Sequence, residues 1–178
     1  MQHKIDIARR IAEQVHLEPN KKYPKGQKDK KGFPYMAHID DIANRVAHHG
    51  EQYEIVGLLH DSIEDAHNEE ARLEVLSLIS SNFDSEIIEA INAITKKKGE
   101  DYFKEYLLRI KNNKIAKEVK IADSSHNLSK AHLLKSEPEL QSKLRNKYIK
   151  VLNELDMDGA SCEKPIIYCD KDGKWIEK

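Results

Sequence analysis

No stretch of this chain approaches the ~20 consecutive apolar residues that a membrane span requires, so a membrane protein is not expected. Cysteine is nearly lacking: Cys162 and Cys169 lie seven residues apart without CxxC or similar zinc spacing, and they read as free thiols in a reducing cytosol. An excess of charge is missing too. Thirty Lys plus Arg face 31 Asp plus Glu, a formal net charge of −1, so overall charge gives a nucleic-acid role no support. Any bound anion must therefore meet a local patch. The first residues, Met1-Gln2-His3-Lys4-Ile5-Asp6, open an amphipathic pattern instead of an apolar secretion signal, and a soluble, cytoplasmic protein is the expectation. Internal repeats and low-complexity linkers are also absent. With 178 residues and 39% apolar content, the chain is expected to form one domain over residues 1–156, followed by a tail over 157–178.

What is present is helical periodicity. Ile5, Ala8, Ile11, Ala12 and Val15 predict a first helix over 3–17 with one buried stripe. A loop with six lysines between Lys21 and Lys31, broken by Pro24 and Gly26, is too polar for a regular element and serves either as a phosphate-binding patch or as a solvated surface. After Pro34, Ile39, Ile42, Ala43, Val46 and Ala47 mark a second helix that stops near Gly50, and Ile55, Val56, Leu58, Leu59 and Ile63 predict a third over 51–64. Further helices follow from Leu73, Leu76 and Ile79; from Ile87, Ile88, Ile91 and Ile94; and from Tyr102, Phe103, Tyr106, Leu107 and Ile110. Residues 116–134, interrupted in pattern by Ser124 and Ser125, and residues 140–155 complete an all-α domain. In the tail, Ile166-Ile167-Tyr168 and Trp175-Ile176 flank an Asp-Gly turn, the pattern of a short β-hairpin.

Chemistry concentrates at Gly57-Leu58-Leu59-His60-Asp61-Ser62-Ile63-Glu64-Asp65. On a helix, His60 and Asp61 flank one corner about 100° apart, where a cation can sit or a plain ion pair can form. Glu64, four residues after His60, would rise over that corner, with Asp65 four after Asp61. Asp123 follows Val119, Ile121 and Ala122, in a core-facing pattern where an unpaired carboxylate is costly and a metal would relieve the cost. His38, His60, Asp61 and Asp123 together offer two nitrogens and two carboxylates, a set suited to manganese, iron or zinc with positions left for water. The expected use is hydrolysis.

These segments, KGQKDKKGFPYMAH, LLHDSIED, ITKKKGEDYFKEYLLRI and VKIADSSHNLSK, spread over residues 25 to 130, resemble the HD-domain metal-dependent phosphohydrolases, and most of all their RelA/SpoT-type alarmone hydrolase branch. The resemblance implies an HD-type helical bundle with one divalent ion, manganese first and iron or zinc as alternatives, on His38, His60, Asp61 and Asp123. It implies water activation and proton handling by Glu64 and Asp65, with Glu64 favoured. It also implies a guanosine 3'-pyrophosphate substrate, (p)ppGpp, held by Lys28, Lys30 and Lys31 and by Asn127 near the ribose. Asn127 as a structural cap is an equal alternative. Ser124 departs from the family, where Arg or Lys often follows the last metal Asp, and the Ser125-His126 pair departs as well. Tyr102, Tyr106 and Arg109 either approach the substrate or serve packing, with Arg109 paired to Glu105. His48 and His49 close a helix, and His3 and His16 lie on the first helix away from the motifs. Only His67 lies between the doublet and Asp123, so a second metal is not expected.

A small-molecule nucleotide partner, without nucleic acid or membrane, completes the expectation, and oligomeric state stays open. No synthetase activity is expected in a chain of this length. Alternatives are hydrolysis of another phosphate ester, such as a nucleoside monophosphate, an adenosine alarmone or a dinucleotide cofactor, and a nucleotide sensor without turnover.

Overall fold

The computed structural model describes residues 2–18, 21, 26–29, 32–164, 166–169 and 175–177, with backbone only for Gln2 and the last two stretches. Among them the domain is all-helical: α1 Gln2–His16, α2 Tyr35–Val46 running into a 3-10 turn at Ala47–His49, α3 Glu51–Leu59, α4 Glu69–Asn82, α5 Ser85–Ile94, a π turn at Tyr102–Tyr106 leading into α6 Leu107–Lys111, α7 Lys114–Ala131 and α8 Pro138–Glu154. No helix is long and apolar enough to cross a membrane. Two short strands, Ile166–Cys169 and Trp175–Glu177, pair antiparallel. The Asp-Gly turn expected between them, at residues 170–174, lies outside the described residues.

Local signals explain most helix starts. Asn68, Asp84 and Asn113 each accept the backbone N–H three residues on, at Ala71, Ile87 and Ala116, capping α4, α5 and α7. Pro138 sits in the first turn of α8, where its missing N–H costs nothing. At the other end of α1 the chain doubles back: Gly26, with φ of +77°, lets Gln27 N–H donate to the His16 carbonyl at 2.8 Å. A Cβ on Gly26 would stand 2.7 Å from the Leu17 carbonyl oxygen, so only glycine fits this crossing. The return continues through a bridge between Lys28 and Pro34, and Tyr35 N–H donates to the Gln27 carbonyl at 3.0 Å, which fixes where α2 begins.

α3 is the central element and packs on α1, α2, α5 and α7. Ile55, Val56, Leu58 and Leu59 are completely buried. The approach of α3 to α2 is set at Gly57, where an added Cβ would lie 2.8 Å from the Ala43 Cα. Because α2 carries His38 and the end of α3 carries His60, this contact sets their spacing.

Two expectations need correction. The helix read over 51–64 ends at Leu59, because the His60 imidazole takes the Gly57 carbonyl at 2.7 Å, the acceptor that a continuing helix would offer to the Asp61 N–H. Residues 60–65 are a turn instead. Ser124 and Ser125 do not interrupt α7, which runs unbroken from Lys114 to Ala131 with Ser124 fully buried.

Candidate metal centre and its pocket

Three helices deliver the cluster. His38 lies in the first turn of α2, His60 and Asp61 follow the last turn of α3, and Asp123 lies midway along α7. His38, His60 and Asp61 each offer a ligand atom, and these atoms all lie within 4.8 Å of one another. Asp123 joins from the side, with Oδ1 3.4 Å from His38 Nε2. The structure thus gathers the three closest members of the expected set and places the fourth against His38.

The orientation of His60 carries chemical information. A carbonyl can only accept, so Nδ1 must donate to Gly57, and in the neutral ring Nε2 is then the lone-pair nitrogen. That nitrogen is buried, 3.2 Å from Asp61 Oδ2 yet out of line for a hydrogen bond. Orienting one ring nitrogen on a backbone carbonyl while the other faces carboxylates is how proteins prepare a metal-binding histidine. The donor set therefore fits a divalent cation.

Charge within the site is strongly coupled. Burial pulls the His60 imidazole down, but the Asp61 carboxylate outweighs it and lifts it to about 9. Asp61 answers in kind: burial pushes it up, while His60, His38 and the Tyr35 hydroxyl hold it well below the usual carboxylate range. His38 is driven well below its ordinary value by burial, with His126 and Lys130 adding to the effect. A proton and a cation would compete for the same Nε2 of His60.

The surrounding contacts hold the carboxylates in place. Tyr35 OH donates to Asp61 Oδ2 at 2.7 Å, and Asp123 accepts from Lys120 Nζ at 2.8 Å and from Asn127 Nδ2 at 2.6 Å. Lys120 is half-buried against Asp123 and lies 5.6 Å from the centre of the Tyr106 ring. Burial alone would lower its pKa, but Asp123 and the flanking tyrosines raise it well above the ordinary lysine value.

No family model matches the chain, and no curated protein matches it.

Beside the cluster opens a cavity of about 350 Å³, lined in part by Lys28, Asn127, Lys130, Leu144 and Tyr148. Lys28 and Asn127, both expected to touch a ligand, thus share one pocket, although Asn127 already supports Asp123. Lys30 and Lys31 lie outside the described residues. Asp29 and Lys130 form an ion pair at 3.3 Å in the cavity wall.

Glu64 and Asp65 depart from their expected positions because the helix ends early. Glu64 stands exposed, and its Oε1 accepts the Lys96 N–H at 2.6 Å instead of stacking over His60 on a helix. Desolvation by the surrounding protein and the charge of Asp61 raise its carboxyl above the ordinary value against that hydrogen bond. Asp65 N–H donates to the Asp61 carbonyl at 2.9 Å, and its carboxylate lies 3.9 Å from His16 Nδ1. Arg109 pairs with Glu100, not with Glu105, while Tyr106 OH donates to the Ile94 carbonyl.

Sequence reasoning missed four residues. His16 was placed away from the motifs, yet it is buried with its ring 5.0 Å from that of Tyr35 and its Nδ1 2.6 Å from Gln27 Oε1. His126 packs edge-on to His38, ring centres 4.8 Å apart, and contacts Asp41 at 2.6 Å. Tyr35 and Lys120 each precede a candidate ligand by three residues, the spacing that puts side chains on one helix face, and that signal was available.

Proposed function

We propose that this chain is a metal-dependent phosphohydrolase with an HD-type helical fold, acting in the cytoplasm on a guanosine nucleotide that carries a 3'-pyrophosphate. The observation that carries the reading is the buried Nε2 of His60, oriented from behind by the Gly57 carbonyl and directed at Asp61 next to His38. His38, His60, Asp61 and Asp123 would hold one divalent ion, manganese by preference, with iron or zinc as alternatives. Such an ion lowers the pKa of bound water and polarises a phosphoryl oxygen.

The protein's own groups have distinct work. Tyr35, Asn127 and Lys120 keep the carboxylates aimed through the contacts described above. Lys28 and Lys130 in the pocket wall would neutralise phosphate oxygens, and the apolar wall of Leu134, Leu144 and Tyr148 suits a nucleobase. Water attacks the 3'-linked phosphorus, and its proton passes to Glu64, whose raised pKa suits that role. The bond from phosphorus to the ribose oxygen breaks, and that oxygen leaves protonated through the Glu64-Asp65 pair. The products are pyrophosphate and GDP or GTP.

Ser124 points into the core and supplies no charge to the pocket, which favours testing other phosphate esters beside the first substrate. The experiment is pyrophosphate release from ppGpp by purified protein with manganese, alongside AMP, GMP and a dinucleotide phosphate. GDP plus pyrophosphate is expected. Turnover of another ester alone would retain the hydrolase and move the substrate; silence on every ester with nucleotide binding intact would replace the enzyme with a sensor.

A further inference from the structure

We infer that Arg109 is a positioning residue for Glu64, acting through the loop that joins α5 to the π turn. The inference rests on the proposed role of Glu64, but its structural half stands apart from any activity. Arg109 lies on α6, one turn after Tyr106, and both side chains reach back to the C-terminal end of α5. The guanidinium donates to the Ala93 carbonyl at 2.7 Å and to the Thr95 carbonyl at 3.3 Å, and it also bonds the Asn92 carbonyl. The Tyr106 hydroxyl takes the Ile94 carbonyl at 2.6 Å. The carbonyls of residues 92–95, at the end where a helix exposes its acceptors, are thus held by two side chains from one neighbouring helical segment.

The same guanidinium closes the loop from its far side. Its Nη2 meets both Glu100 oxygens, at 2.6 and 2.7 Å, and Nε adds a bond to Oε1 at 3.2 Å. Glu100 Oε2 in turn accepts the Lys97 N–H at 2.9 Å. The pair is shielded, with side-chain exposures of 24% for Arg109 and 10% for Glu100, so water competes poorly for it. Between these two anchors lies Lys96, whose N–H holds Glu64 Oε1 at 2.6 Å. Glu64 follows the end of α3 in an exposed turn, and this amide holds its carboxylate. Where Lys96 sits therefore decides where the Glu64 carboxylate points. The planar five-donor fork of arginine suits the task; lysine offers a single point charge and cannot span both anchors.

The test uses the full chain and two kinds of readout. In the zinc-loaded protein the Lys96 amide should give a downfield NMR resonance that Glu64→Gln shifts, and Arg109→Met should shift it comparably while Arg109→Lys restores it in part. With manganese, Arg109→Met should lower kcat about tenfold, leaving KM and metal affinity within about twofold. In a Glu64→Gln background the same substitution should change kcat by less than about twofold, since its route to the chemistry is already cut. Glu100→Gln serves as a milder second variant with the same sign, should Arg109→Met fail to fold. An unmoved Lys96 resonance in Arg109→Met, or fully additive losses in the double variant, would overturn the inference. If no ester is turned over by the wild type, the proposed function fails on its own, and the Lys96 resonance still decides whether Arg109 sets the position of Glu64.

Discussion

Asp61 and Glu64 stand three residues apart and should fail in different ways when replaced. Asp61 belongs to the mutual cluster with both histidines and takes the Tyr35 hydroxyl, so Asp61→Ala should lose bound manganese and all turnover while circular dichroism stays helical. Glu64 lies outside that cluster on the Lys96 amide, so Glu64→Gln should keep its manganese and lose about a hundredfold in kcat. Metal analysis beside initial rates separates the two, and equal activity in Glu64→Gln and wild type would remove Glu64 from the chemistry. The residues that could be read in advance were those whose type alone is costly in an apolar pattern, namely His60, Asp61 and Asp123. Those that escaped, His16 and His126, match a helix face in sequence just as well as a site, and only the packing of α1 and α7 on Tyr35 and His38 tells the two apart.

At the level of elements, the distance between α2 and α3 is held by the absence of a side chain. Gly57→Ala would place a methyl 2.8 Å from the Ala43 Cα, and urea unfolding of the metal-free protein should show a loss of about 1–3 kcal/mol from overpacking. Manganese affinity should weaken as well, since His38 and His60 ride on the two helices being pushed apart. Unchanged stability would mean that the helices can separate without cost. The helices themselves were legible because α1, α2 and α5 show a strong apolar stripe and α4, α5 and α7 begin at Asn or Asp caps. The end of α3 was not legible, because it is decided by one imidazole capturing one carbonyl, and apolar spacing continues through Ile63 regardless. Ser124 misled for the opposite reason: a polar residue looked like a break, but in α7 it is small enough to be buried among its neighbours.

Across the whole molecule, Asp156 ties three segments together. Standing beyond the end of α8 with φ of +67°, it accepts from Lys111 on α6 at 2.7 Å and from Lys117 on α7 at 2.9 Å. Those two ammonium groups hold its carboxyl at about 2, against an ordinary 3.8. A depressed carboxyl stabilises the fold fully above its unfolded value and loses that contribution as pH falls toward the folded one. Melting temperature of the metal-free protein should therefore drop between about pH 4 and pH 2, with part of the slope removed in Asp156→Asn, a residue that tolerates the same positive φ. High salt should weaken the effect, since the carboxylate is exposed. An identical slope in the variant would assign acid sensitivity to the buried carboxylates instead.

The contact between His38 and Asp123 also sets an order of events during synthesis. Both histidines and Asp61 leave the ribosome before Asp123, which follows Asp61 by roughly sixty positions. At roughly 5–20 residues per second that gap is on the order of several seconds, during which α2 and α3 can meet but α7 cannot close over them. Until α7 arrives, the nascent chain exposes a half-built nest of imidazoles and one carboxylate, and α7 brings the second.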